Sequence, residues 1–189
     1  KVNLGKIKLA FLGNIQKYKG IDFLIEAWLE FEKKYKNHNL QLIIAGKGDI
    51  PKKDLLSRSS NVVIDNKLLT DDEFYSYLKL ADIILLPYRE ISQSGVLFNA
   101  LAEKKLIIAT DKGGIGEPYK LFNLGWLITK SNVAEELIEI FEEINQNPDI
   151  LEKKELSPYD WQRIEEYYSW RKIGEMTEIV YSKAINKVK

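Results

Sequence analysis

The sequence predicts an α/β fold, a doubly wound parallel sheet, and three observations carry that expectation. Short apolar runs of strand length alternate with longer segments of helical period, as parallel strands joined by crossover helices require. Five of these runs end in a polar or glycine-containing loop, at Gly13, Gly46, Asp65, Pro87 and Asp111. In a parallel sheet such loops gather at the carboxyl edge, where open α/β sheets bind ligands. The third observation is the stretch from Ala81 to Glu117, which reads as strand, polar loop, helix, strand and glycine loop.

Taken in order, Lys6–Leu12 is the first strand and ends at Gly13-Asn14. The loop Ile15–Gly20 leads to a helix from about Ile21 to Tyr35, whose apolar positions Leu24, Trp28, Phe31 and Tyr35 share one face. Lys19 stands one residue before Gly20 at that helix start, where it either reaches an anion at the sheet edge or is merely solvated. Leu40–Ala45 is the second strand, running into the tight turn Gly46-Lys47-Gly48-Asp49. This turn lacks the second glycine, lysine and hydroxyl of a P-loop. Pro51–Arg58 reads as a short helix and Asn61–Ile64 as the third strand. Thr70 and Glu73 have capping-box spacing, so Thr70 starts the helix Asp71–Leu80.

Asp82–Leu86 is almost wholly apolar, as a strand buried on both faces should be. Pro87 stops it, Tyr88–Gln93 is a polar connection, and Ser94-Gly95 opens the helix Val96–Glu103. Leu106–Ala109 is the fifth strand. A helix start at the carboxyl edge offers free N–H groups and a positive dipole end, both suited to phosphate. A plain βαβ crossover without a ligand has the same pattern. Gly113, Gly114 and Gly116 follow in a loop able to wrap a ligand, and Trp126–Ile128 is the last strand. Ser131 is expected to cap the helix Asn132–Asn145. Pro148 and Ser157-Pro158 divide the remainder into three helical pieces, the last being Trp170–Asn186. The aromatic residues Tyr159, Trp161, Tyr167 and Tyr168 read as packing.

Composition narrows the function classes. The 189 residues suit one α/β domain or one half of a larger enzyme. The 28 basic and 28 acidic residues balance, so nothing points to nucleic acid or an anionic membrane. Absence of cysteine removes disulfides, thiolate nucleophiles and thiolate metal sites. His38 is the single histidine, which excludes a His-rich metal site; within Asn37-His38-Asn39 it reads as an exposed loop residue. No apolar stretch is long enough to span a bilayer, and no signal peptide is recognisable. The first residue is Lys1, close to a strand, so the chain is expected to be an excised domain.

The ordered motifs FLGN…KYKGIDFLIEAW, LIIAGKGD, NVVIDNKL, ADIILLPYREISQSGVLFNALAEKKLIIATDKGGIGE and GWLI resemble the carboxy-terminal half of family 4 glycosyltransferases of the B-type fold. The likeness runs from about Lys6 to Ile144, and the tail around Tyr168-Ser169-Trp170 is similar to that family's closing helices. It implies a Rossmann-like, nucleotide-sugar donor-binding domain over residues 1–189, with a helical tail from about residue 150. An amino-terminal acceptor domain would complete the enzyme, and acceptor choice would reside there. The implied reaction is retaining transfer to a glycan or lipid-linked acceptor, with no metal or other cofactor. Cytoplasmic placement, at the inner face of the membrane through the other half, goes with that implication.

Position by position, the resemblance assigns Gly13, Lys19, Gly20, Ser94, Gly95 and Val96 to the donor diphosphate. Gly46, Gly48, Asn66, Lys67 and Leu68 fall to the nucleoside, with Asn99 in the place of a ribose-binding glutamate. Ser92, Gln93 and Glu117 fall toward the sugar. Three departures stand out. Asn14 occupies the position of a frequent arginine, which leaves Lys47 or Arg89 as substitutes. The usual glutamate pair is broken, with Ile91 at its first position and Glu90, one residue off, as the catalytic candidate. The run Ser92-Gln93-Ser94-Gly95-Val96 is similar to a subgroup with a QSGV signature. A noncatalytic nucleotide-sugar-binding partner and a sugar-nucleotide epimerase are the alternatives from other classes.

Overall fold

The computed structural model describes residues 5–147 and 149–187, so Pro148 lies outside the described residues. Six parallel strands form one sheet in the order β3-β2-β1-β4-β5-β6. They are β1 (Ile7–Leu12), β2 (Leu40–Ala45), β3 (Val62–Asp65), β4 (Ile83–Leu86), β5 (Leu106–Thr110) and β6 (Gly125–Ile128). The intervening helices are α1 (Ile21–Lys34), α2 (Lys53–Leu56), α3 (Asp71–Leu80), α4 (Gly95–Ala102) and α5 (Glu117–Leu121). After β6 come α6 (Val133–Gln146) and α7 (Ile150–Lys154). The predicted α/β fold and its doubly wound parallel sheet are therefore present.

Burial explains the runs from which the strands were read. Every residue of β2, β4 and β5 is buried, as strands covered by helices on both faces must be. β3, at the sheet edge, is only half-buried throughout. The Thr70–Glu73 capping box forms with both reciprocal hydrogen bonds, fixing where α3 begins. The apolar stripe of α1 packs against α6, where Trp28, Phe31 and Phe141 meet with ring centroids 5.8–5.9 Å apart.

Three expectations need correction. His38 is not an exposed loop residue: it is 9% exposed, its ring edge-on to Trp28 and Phe31 at 5.6 and 5.0 Å. Nδ1 accepts from the backbone N–H of Leu40 at 3.2 Å, and Nε2 lies 3.5 Å from Glu32 Oε1. The polar neighbours Asn37 and Asn39 hide this, because the ring turns inward under the aromatic stripe. Asn132, not Ser131, caps α6, its side chain accepting from Glu135 N at 3.3 Å. The loop after β5 is not continuous either. It holds a 3-10 turn at Gly113–Ile115 and then α5, with Pro118 in the first turn where a missing N–H costs nothing.

Residues 156–187 form a second compact unit. Within it, Ser157 caps α8 (Pro158–Tyr167), and α9 (Trp170–Lys187) follows. Trp161 is buried, but Tyr159 is 68% exposed, so the packing expectation fails for that tyrosine. Among the described residues no helix is long and apolar enough to cross a membrane.

The turn after β2 ties the sheet edge together. Gly46 sits at φ +148°, its N–H donating to Asp65 O, and an added Cβ would stand 1.9 Å from the carbonyl oxygen of Gly13. Gly46→Ala should therefore lower stability by about 3 kcal/mol, combining backbone strain with a clash that flexible side chains cannot relieve. Urea denaturation should show a reduced midpoint at unchanged slope. A midpoint within error of the wild type would refute this close approach.

Candidate functional site

The carboxyl ends of β1 and β4 are neighbours, but the chain leaves them in opposite directions along the sheet. Their loops are left facing one another across a crevice, the place where a doubly wound sheet can admit a ligand. From β1 the backbone passes Gly13, makes a 3-10 turn at Lys17–Lys19 and enters α1 through Gly20. Gly20 has φ +68°, and an added Cβ would lie 1.9 Å from Pro87 O, so only glycine lets the two loops touch. The N–H of Arg89 donates to Tyr18 O at 2.7 Å, a second tie between the loops.

Ser94 begins α4, its hydroxyl accepting from Leu97 N at 3.3 Å. The N–H groups of Gly95 and Val96 lie in the first turn, where no intrahelical acceptor exists. A cleft of about 410 Å³ opens in front of them, bounded by Gly13 and Lys19 on the β1 side. A methyl group built on Gly13 would be 3.5 Å from Lys19 Nζ and 3.7 Å from Val96 Cγ2. One built on Gly95 would meet nothing within 4 Å. A bare backbone, an ammonium and a helix start thus converge on one open point.

The electrostatics give that point a sign. Lys19 is 8% exposed, yet among the described residues its ammonium has no hydrogen-bond or ion-pair partner. Burial pulls its pKa below the ordinary lysine value. Beneath it lies the buried Tyr88 ring, 5.8 Å from Nζ to centroid, with its hydroxyl 3.5 Å from Ser94 Oγ. Burial pushes the Tyr88 phenol up to about 12 against a small opposing effect of Ser94, so the phenol stays neutral. An unpaired buried cation is unfavourable by itself and favourable once an anion joins it. The cleft can therefore hold a phosphate-like group through Lys19 and the α4 N–H groups.

The predicted site residues divide on this geometry. Gly13, Lys19, Gln93, Ser94, Gly95, Val96 and Asn99 come together in the cleft. Asn99 Oδ1 accepts from Tyr75 OH at 3.1 Å. Gly20, Gly46 and Gly48 lie outside its lining and hold loop against loop; Gly48 forms a bridge with Ile15. The Asn66 amide is occupied with the Gly48 backbone, accepting from its N–H at 3.2 Å and donating to its carbonyl at 3.0 Å. Lys67 pairs with Glu73 at 2.6 Å, and Leu68 is 69% exposed. Ser92 O accepts from Gly114 N at 3.1 Å, so the glycine loop folds against the segment before α4. Glu117 is exposed in the first turn of α5.

Glu90 is exposed and outside the lining of the cleft. The reason lies in its neighbour: Arg89 forms an ion pair with Asp22, and its guanidinium stacks 3.8 Å from the Phe23 ring centroid. Arg89 is thereby committed and does not replace the cation missing at Asn14. Lys47 is exposed and also outside the lining. Sequence reasoning missed Tyr88, placed in a polar connection. The available signal was its position directly after the apolar strand and Pro87, which continues the buried run by one aromatic residue. Among the described residues no group of three His, Asp or Glu could hold a metal ion.

Comparison with known proteins agrees with the fold. Residues 6–147 match the family model described as "Glycosyl transferases group 1". No curated protein sequence matches significantly. Among solved structures, the chain is similar to sucrose-phosphate synthase from Thermosynechococcus elongatus, with TM-score 0.71 and 18% identity over 98% of this chain and 47% of that one. It is similar to the C-terminal domain of a glycosyl transferase group 1 family protein from Francisella tularensis, with TM-score 0.67 and 19% identity over 87% of this chain and 88% of that domain. WaaG, a glycosyltransferase involved in lipopolysaccharide biosynthesis, matches with TM-score 0.69 and 21% identity, covering 89% of this chain and 44% of that one. The chain thus spans about half the length of the first of these proteins.

The desolvated ammonium makes a stability prediction. Its folded pKa lies below the unfolded value near 10.5, so charging Lys19 opposes folding. Lys19→Met should unfold at a temperature equal to or above the wild type at neutral pH without ligand. The gain is full below the folded pKa and shrinks as pH rises toward the ordinary lysine range. A lower melting temperature for Lys19→Met across that whole range would contradict the assignment of an unpaired cation.

Proposed function

Because the chain belongs to the group 1 glycosyl transferases, we propose that its cleft binds the diphosphate of a nucleotide-sugar donor and stabilises it as the leaving group. The observation that carries this is the ammonium of the largely buried Lys19, which has no partner among the described residues and opens on the cleft that the start of α4 also lines. As the bond from the sugar carbon to the diphosphate oxygen breaks, negative charge grows on that oxygen and its phosphate. A fixed ammonium and fixed N–H dipoles in a partly desolvated cleft stabilise that charge more than water does. Lys19 supplies the charge, Gly95 and Val96 the N–H donors, and Gly13 the room.

In this reading the protein is a family 4, QSGV-like, retaining transferase. The nucleoside lies toward Asn99 and the turn of Gly46, Gly48 and Asn66–Leu68. The sugar lies toward Ser92, Gln93 and Glu117. Glu90 would reach it only after movement of the segment that Arg89 anchors. Residues 1–189 form the donor half, with residues from about 150 as its tail, and a separate acceptor domain completes the enzyme. The coverage of about half of two larger glycosyltransferase-fold chains supports such a division. Transferase turnover is then expected from the full-length protein and not from this half alone. A noncatalytic donor-binding role is the second reading, favoured by the outward position of Glu90. Turnover of nucleotide-sugar by the full-length protein separates the two.

Calorimetry with UDP, GDP, ADP and dTDP tests the donor site. Lys19→Ala should weaken diphosphate binding by about tenfold to a hundredfold, the equivalent of roughly 1.5–3 kcal/mol for a charge-assisted contact. Lys17→Ala should change little, because a solvated charge is screened. Nucleosides without phosphate should be indifferent to both. Equal effects of the two substitutions would remove Lys19 from the site.

Two solution conditions probe the same contact. Lys19 binds an anion as ammonium, and its pKa is lowered in the empty cleft. Affinity should therefore fall as pH rises through that lowered value, with a proton taken up on binding; Asp71, Tyr18 and Tyr88 are the other ionisable groups at the cleft. Excess EDTA should leave affinity unchanged, since the proposal meets the diphosphate charge with protein groups. A tenfold loss in EDTA would mean that a cation meets it instead.

A further inference from the structure

Tyr88 sits beneath the cleft without lining it, and several contacts immobilise it there. Its carbonyl accepts from Thr110 Oγ1 at 2.5 Å. The edge of Tyr18 meets its ring at 6.2 Å, nearly perpendicular. Its hydroxyl lies 3.5 Å from the Ser94 hydroxyl that caps α4, and Lys19 Nζ lies 5.8 Å from its ring centroid. This one side chain therefore borders both halves of the anion cradle, the loop after β1 and the start of α4.

We propose that Tyr88 is a positioning residue, whose ring holds the Lys19 ammonium against the start of α4 without consuming its charge. A partly desolvated ammonium without a counter-charge needs some other attraction to hold one position. A carboxylate would supply it but would neutralise the cation and repel the incoming phosphate. The face of an aromatic ring attracts a cation through its quadrupole and carries no net charge, so the full positive charge remains for the ligand. Lys19 has no carboxylate partner among the described residues, and the ring is what lies beside it. A purely space-filling role would be met equally by leucine, which has no ring face to offer the cation.

The inference rests on the reading of the cleft as a diphosphate site, and the experiment keeps the two apart. In the full-length protein, position 88 is changed by Tyr88→Phe, Tyr88→Leu, and then by phenylalanines bearing one, two and three ring fluorines. Fluorination drains the ring face while keeping its shape, so the series remains decisive even if Tyr88→Leu fails to fold. Calorimetry follows whichever of UDP, GDP, ADP and dTDP the wild type binds, and the matching nucleoside.

Diphosphate affinity should fall stepwise with fluorine number, by about tenfold over the series, as expected for a largely desolvated cation–ring contact. Nucleoside affinity should stay flat, and Tyr88→Phe should lie nearer the wild type than any fluorinated form. A flat diphosphate series, or diphosphate and nucleoside falling together, overturns the role of Tyr88 while leaving the donor site standing. Failure of the wild type to bind any of the four diphosphates overturns the donor reading, and this inference with it.

Discussion

The pairing of β1 with β4 is the constraint on which the rest depends. Ile83 and Ile84 take register beside Leu9 and Ala10, although more than seventy residues separate them. The strands between those residues, β2 and β3, extend the sheet on one side. The strands after β4, β5 and β6, extend it on the other. Two loops, after β1 and after β4, are consequently stranded face to face at the carboxyl edge. Their contacts, Gly20 against Pro87 and Arg89 N–H on Tyr18 O, follow from that adjacency. The cleft is thus a product of topology, and the side chains only decide what it prefers.

What it prefers is set by the contrast between two cations. Arg89 and Lys19 stand on neighbouring loops, but Arg89 is neutralised by Asp22 and stacked on Phe23. Lys19 is buried over a tyrosine ring and, among the described residues, has no counter-charge. The first is a tie that fixes a loop, whose value is mostly geometric because half-exposed ion pairs contribute little. The second is a cost accepted by the empty protein and recovered on anion binding. Removing Arg89 would loosen the segment that leads to Ser94, whereas removing Lys19 would remove attraction itself.

Much of this was legible in the sequence because it is local. The strand runs, the Thr70–Glu73 cap, the Ser94-Gly95 helix start and Lys19 before Gly20 depend on residues within a few positions of one another. What was hidden depends on distant partners. His38 looks solvated among asparagines, and only its contact with Trp28 and Phe31 shows it to be core. Asn66 and Lys67 looked available, yet Gly48 and Glu73 engage them. Ser131 and Asn132 are equally good caps by type, and backbone geometry selected the second. Tyr88 was hidden for a different reason: a polar-looking connection begins one residue later than its composition suggests.

Main chain forms part of the cleft wall, at Gly13 and at the first turn of α4. Main-chain donors are not encoded by any particular codon, so most substitutions leave them in place, with proline in the first turn of α4 the exception. A lineage can therefore exchange the surrounding side chains freely and keep the capacity to grip a charged oxygen. What drift can alter is the single lysine, its ring support and the periphery. Divergence within such a scaffold should appear first as a change in what is gripped, and only much later as a loss of grip.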